Sequence, residues 1–357
     1  MRIGIIPIVP ESSPLVLAQS LGALLGREGV EAEILPDVSD QLRRQLPLRT
    51  IWTRPSWSVC ARASAPIGKA LYAWKRQKRL AEIASFDALV LCDRIPNAFR
   101  KDHVVVTELR RRFPGKPLAL HEVYYLGNAP TMADRLNGAG DHGIERFDWH
   151  LAVSEVTEVR GKPSPPWSVV GLYLEDAGLR PMRKPGFRAL IDFPQPGYDA
   201  HRQAQLQVLD ELGIKTDVLD GRYELAEIRS HYAEATIYML QGMEAFGVPI
   251  AECLSLGAKV FTPDSSWPMS FRLDKDPRVH GPGRLADCFT VYRDAGDLRR
   301  KLIALRDTFD PGQTPKQVFS DFVESYPHFY RGNAEGVREF LRFARREAPA
   351  NDGGGAP

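Results

Sequence analysis

Two carboxylates, Glu244 and Glu252, stand in the stretch Met243-Glu244-Ala245-Phe246-Gly247-Val248-Pro249-Ile250-Ala251-Glu252-Cys253-Leu254-Ser255-Leu256-Gly257-Ala258-Lys259-Val260-Phe261-Thr262. An apolar run from Thr236 to Leu240 predicts a buried strand, and Gln241 to Val248 a loop with Gly242 and Gly247 as its flexible points. A helix should follow. Pro249 suits its first position, where the amide hydrogen that proline lacks would be unpaired anyway, and Gly257 suits the left-handed residue that ends it. Lys259 to Thr262 is then the next strand. At such a helix start the free amides of Phe246, Gly247 and Val248, with the positive end of the helix dipole, suit a phosphate. Glu252, one turn into the helix, can reach a hydroxyl beside that anion. Glu244 approaches from the strand end, where open α/β sheets place their ligands. An anion between two hydroxyl-binding carboxylates describes a nucleotide sugar.

The stretch resembles the E-x7-E signature of the large retaining glycosyltransferase family numbered four, which has a GT-B fold. Phe246, Gly247, Pro249, Glu252 and Gly257 stand in places that match the family's E-G-F-G-L-P-x-x-E-A-x-A-x-G-x-P-V-V pattern. The likeness in motif covers about residues 223–262, with weaker echoes at 117–122 and 147–175. It implies that Glu244 contacts the donor sugar and Glu252 the ribose, while the amides at 246–248 stabilise the leaving diphosphate without a metal. It also implies that a histidine at the end of a strand in the first domain contacts the sugar, and His121 is the matching residue. The alternative for His121 is an ordinary strand-end histidine. No resident cofactor or metal is expected. The donor is a nucleotide sugar, the acceptor a carbohydrate or a lipid-linked molecule.

Two departures from the family pattern bear on catalysis. After the first strand of the second domain, relatives carry an arginine and a lysine that neutralise the diphosphate; this chain has Asp192-Phe193-Pro194-Gln195-Pro196-Gly197. Arg202 and Arg222 are the candidates to replace them. Likewise the loop after the first strand, Val9 to Ser13, contains Glu11 and no glycine. The missing cations favour a second reading, a catalytically inert nucleotide-sugar-binding or assembly subunit. A third, a metal-dependent transferase of another fold, would lean on Asp274-Lys275-Asp276.

The elements that must position these residues follow from the pattern. Arg2 to Ile8, a helix to about Arg27 behind Ser12-Ser13-Pro14, and Glu31 to Leu35 form an opening β-α-β unit. Further strands are predicted at 88–92, 103–106, 117–120, 147–154 and 167–175; the segment 103–106 can instead begin a helix. In the second half, strands at 187–193, 215–219 and 287–292 alternate with helices at 199–212, 223–233, 296–307 and 333–346. This is an α/β chain with two Rossmann-like domains facing a cleft, divided near residue 180 by the Pro- and Gly-rich segment 176–186. The expected units are 1–180 on the acceptor side, 181–347 on the donor side, and a disordered tail, 348–357. The resemblance adds that the final helix crosses back to the first domain.

Composition sets the outer limits. The 357 residues, 43% hydrophobic, supply two cores without staples. Cys60, Cys92, Cys253 and Cys288 form no C-x-x-C pair and suit reduced cysteines of a cytosolic protein. No signal peptide or spanning segment is expected. A net charge of +2 argues against a general nucleic-acid binder. Locally, however, residues 41–81 contain no acid but include ten cations from Arg43 to Arg79. A helix over 65–83 with Ile67, Leu71 and Trp74 on one stripe either packs on its own domain or lies on an anionic bilayer, giving a cytoplasmic protein with a peripheral membrane face.

Overall fold

The computed structural model describes residues 1–8, 12–38, 74, 77–92, 102–122, 146–154, 166–242, 247–267, 270–274 and 281–347. Two all-parallel sheets organise them. The first contains β1 (Arg2–Pro7), β2 (Glu31–Ile34), β3 (Ala88–Cys92), β4 (Leu118–Glu122), β5 (Trp149–Ala152) and β6 (Trp167–Val169), in the order β2-β1-β3-β4-β5-β6. Alternation along its strands sends Ile3, Ile5, Val90, Ala119 and Leu151 to one face and Ile6, Leu89, Leu91, Leu118 and Leu120 to the other. Helix α1 (Ser12–Arg27) covers the first face, and Gly29, at φ 71°, turns the chain into β2. The helix whose described part includes 77–84, here α2, and α3 (Asp102–Arg112) cover the second.

The strand expected at 103–106 is therefore part of α3. A β-branched run suggested extended chain, but Val105, Val106 and Leu109 recur at helical spacing and are buried together. Glu108 then meets Arg111 and Arg112 one turn later.

The second sheet contains β7 (Arg188–Ile191), β8 (Lys215–Val218), β9 (Ile237–Met239), β10 (Lys259–Pro263) and β11 (Phe289–Tyr292), in the order β11-β10-β9-β7-β8. Its helices are α4 (Asp199–Glu211), α5 (Leu225–Glu234), α6 (Val248–Ser255) and α7 (Ala295–Asp307). From β7 the chain pairs outward to β8 and then returns to the other side as β9. The strand order reverses there, between β7 and β9, the topological switch point beside which open α/β sheets place their ligands.

Two helices were not anticipated. They are α8 (Thr314–Ser325) and the single turn α9 (His328–Arg331). The signal was present, since Pro315 stands in the first turn and Val318, Phe322 and Val323 follow on one buried stripe. The segment between the sheets packs along α9: Leu172 N–H donates to His328 O at 2.8 Å and Glu175 N–H to Tyr330 O at 3.1 Å.

The last helix, α10 (Ala334–Glu347), packs on β5 and β6 of the first sheet, the crossing back that the resemblance implied for the final helix. Asn333 Nδ2 donates to Val169 O and Ser168 Oγ to Gly336 O, each at 2.8 Å. A Cβ on Gly336 would fall on the Val169 carbonyl, so only glycine permits this approach. Residues 348–357, expected as a tail, lie outside the described residues.

Candidate functional site

The site predicted from Glu244 and Glu252 belongs to the carboxyl ends of β7 and β9. Gln241, just past β9, ties the two loops together. Its Nε2 donates to the carbonyls of Asp192 (2.9 Å) and Phe193 (2.8 Å), and its Oε1 accepts from Gln195 N–H at 3.1 Å. Gly242 lies so close to the Tyr198 ring that a Cβ would enter it. The loop after β7 is thus pinned against the loop that leads to α6.

Helix α6 starts at Val248, one residue before the position expected for Pro249. Gly247 is its extended N-cap, Pro249 is in the first turn, and Gly257 ends the unit at φ 79°. Between them Val248, Ile250, Ala251, Cys253 and Leu254 are buried apolar side chains, so packing fixes the helix start at the carboxyl end of β9. Glu244 and Phe246 lie outside the described residues, and of the amides expected to meet an anion only those of Gly247 and Val248 lie within them.

Glu252 is almost wholly buried. Its Oε1 accepts from both Nε (2.8 Å) and Nη2 (2.6 Å) of Arg229, which reaches across from α5. Burial pushes the Glu252 carboxyl above the usual range, and the Arg229 charge opposes that push. Oε2 makes no hydrogen bond among the described residues. No sequence signal pointed to Arg229, because its partner is 23 residues away and on another helix.

The two arginines proposed to replace the missing cations are placed differently. Arg202 donates Nη1 to Asp192 O and Nη2 to Leu219 O (3.1 Å), closing the carbonyl ends of β7 and β8. Its charge is engaged within the fold. Arg222 is exposed in the loop after β8 and makes no hydrogen bond or ion pair among the described residues. Asp192, just past β7, is a buried acid whose Oδ1 accepts the Tyr238 hydroxyl at 2.5 Å. Burial raises the Asp192 carboxyl above its ordinary range. A further unanticipated group is Lys184, buried, with Nζ donating to Ala233 O at 2.8 Å; burial pulls its ammonium down to about 8.

His121 belongs to the first sheet, at the end of β4. Its Nδ1 lies 2.8 Å from Leu151 O, and since a carbonyl only accepts, Nδ1 carries the proton. Nε2 is then a lone-pair acceptor, buried and without a partner among the described residues. Desolvation pulls the imidazole down to about 4, so it is neutral at pH 7.

The remaining candidates are peripheral. Asp274 is bonded by Arg272 Nε at 2.9 Å and by the Arg284 amide at 2.9 Å, while Lys275 and Asp276 lie outside the described residues. Among the described residues no group of three or more His, Cys, Asp or Glu is placed to hold a metal ion. Of the basic stretch, residues 43–73, Lys75 and Arg76 also lie outside. Trp74 is exposed with the Lys78 ammonium over its ring at 5.9 Å, and Arg79 is paired with Asp37 and Glu82. No described helix is long and apolar enough to cross a membrane.

No family model matches the sequence, and no curated protein matches it. Solved structures do resemble it. S. aureus MnaA, in a co-structure with UDP, aligns over 97% of this chain and 97% of its own at 11% identity, with a TM-score of 0.51. The catalytic domain of Starch Synthase IV from Arabidopsis thaliana, bound to ADP and acarbose, aligns over 97% and 99% at 12% identity, with a TM-score of 0.52. These likenesses concern the fold: an α/β chain with two Rossmann-like domains, of the GT-B type.

Proposed function

We propose that this chain is a glycosyltransferase, a divergent member of the retaining family four. It moves a sugar from a nucleotide-sugar donor to a carbohydrate or lipid-linked acceptor with retention at the anomeric carbon. One observation carries the reading: a nearly buried carboxylate, Glu252, sits one turn into a helix that starts at the β7/β9 switch point of a GT-B-type fold. A charge is not tolerated there without a partner, and Arg229 supplies only one oxygen's worth of bonding. In this reading Oε2 accepts a ribose hydroxyl, and the amides of residues 246–248 meet the diphosphate. Glu244 and the His121 Nε2 lone pair take the sugar. That two structures of similar fold were solved with UDP and with ADP supports a nucleoside diphosphate as the ligand class.

A second reading is favoured by the crevice itself. With Asp192 buried in place of a cation and Arg202 bonded to strand ends, transfer lacks its usual electrostatic partner for the leaving diphosphate. The chain would then bind nucleotide sugars as an inert subunit.

Thermal shifts over a panel of nucleotide sugars test both. Ligand at about 100 times its dissociation constant stabilises a native protein by roughly 2.7 kcal/mol, a shift of several degrees. Glu252→Gln is expected to weaken free nucleoside diphosphate and nucleotide sugar alike; Glu244→Gln should spare the diphosphate and abolish transfer. Binding without transfer to any acceptor selects the inert subunit. If no nucleotide or nucleotide sugar at millimolar concentration stabilises the wild type, both readings fall.

A further inference from the structure

Arg229 is the group bonded to Glu252 that neither the motif nor the resemblance anticipates. Its Nε and Nη2 converge on one oxygen, Oε1 of Glu252, at 2.8 and 2.6 Å. Both bonds on a single oxygen is an asymmetric grip: it fixes the plane of the carboxylate and leaves Oε2 unbonded. The pair is also unequally placed, Glu252 with 3% of its side chain exposed and Arg229 with 21%. Glu252 therefore depends on Arg229 to remain ionised, whereas Arg229 can reach water without Glu252. The two helices hold this geometry from either side. On α6, Val248, Ile250 and Ala251 are buried next to Glu252, and on α5 Tyr232 packs its ring against Tyr238 of β9 at 6.0 Å.

Resting on the donor-site reading above, we infer that Arg229 is a positioning residue for ribose recognition: it holds the buried Glu252 charged and in one orientation, so that Oε2 accepts a hydroxyl of the nucleotide's ribose. The ligand contact belongs to Glu252 and the specificity for a sugar with vicinal hydroxyls to the pair. Without Arg229 the carboxyl would take up a proton and turn, and a protonated carboxyl at that depth offers a poorer and differently directed acceptor.

The test compares UDP and ADP with their 2′,3′-dideoxy forms, by calorimetry, on the full chain. Wild type is expected to prefer the ribose forms by roughly tenfold or more, the size expected for a hydrogen bond to a charged acceptor. Glu252→Gln and Arg229→Met should each reduce the ratio towards one, and the double variant should go no further, because the two residues act as one unit. Arg229→Lys keeps the charge but not the two-pronged grip, so its ratio should fall as well. It also guards against an Arg229→Met chain that does not fold, which melting curves would reveal. A wild-type ratio in a folded Arg229 variant, with the ratio lost in Glu252→Gln, overturns this inference and leaves the donor site standing. Failure of the wild-type chain to bind either nucleotide overturns the donor site and this inference together.

Discussion

His121 carries two measurable consequences of its burial. Its imidazole is held near 4, below the ordinary 6.5, because the charged form would lose its hydration. As the pH falls below about 6.5 the unfolded chain takes up this proton first, so stability is complete above that pH and is lost progressively down to about 4. By linkage the loss from this one group is about 3 kcal/mol. His121→Asn, whose amide can still donate to Leu151 O, should flatten that acid limb in melts taken between pH 4 and 7. Parallel limbs in the two proteins would assign the loss to other groups. The same variant separates structure from function: if Nε2 meets the donor sugar, turnover should fall far more than nucleotide affinity does.

At the scale of the element, the basic helix is divided by its own ion pairs. Arg79 bridges Asp37 and Glu82, at 2.7 and 2.6 Å, whereas Lys78 and Trp74 face solvent together. A membrane face, which we propose from the acid-free stretch, therefore rests on Lys75, Arg76 and Lys78 and not on Arg79. Each cation near an anionic bilayer contributes about 1 kcal/mol. Neutralising those three should abolish salt-sensitive co-sedimentation with anionic vesicles, while Arg79→Ala should lower the melting temperature and leave sedimentation unchanged. Sedimentation unchanged in the triple variant would remove this helix as the membrane face, and a wild type that binds no anionic vesicle would remove the membrane from the reading.

For the molecule as a whole, the chain's end completes its beginning. Val337, Phe340, Leu341 and Ala344 of α10 are buried with α1 and the first sheet, and Trp149 of β5 lies against Phe340 and Phe343. Burying one such large apolar side chain is worth about 1.5–3 kcal/mol, so losing this helix removes a large share of a typical domain stability of about 5–15 kcal/mol. A chain ending at Gly332 should lose hydrogen-exchange protection in β5 and β6 and keep it in β7 to β11. Unchanged protection in β5 and β6 would show that the first sheet is stable without its C-terminal cover.

Local rules were enough for much of this. Pro249 and Gly257 bracket α6 because each suits one backbone position, and apolar runs such as Ala88 to Cys92 read directly as buried parallel strands. From these alone came the α/β class, most element positions, and the unit on which Glu252 stands. Where local patterns competed, as with Val104 to Val106, tertiary burial chose the helix. What the sequence could not supply were partners distant along the chain. Arg229 with Glu252, Arg202 with the ends of β7 and β8, and Tyr238 with Asp192 are all joined only by folding. The reason is physical: periodicity and capping act within a few residues, whereas a buried charge or polar atom takes whichever partner the packed chain brings within about 3 Å.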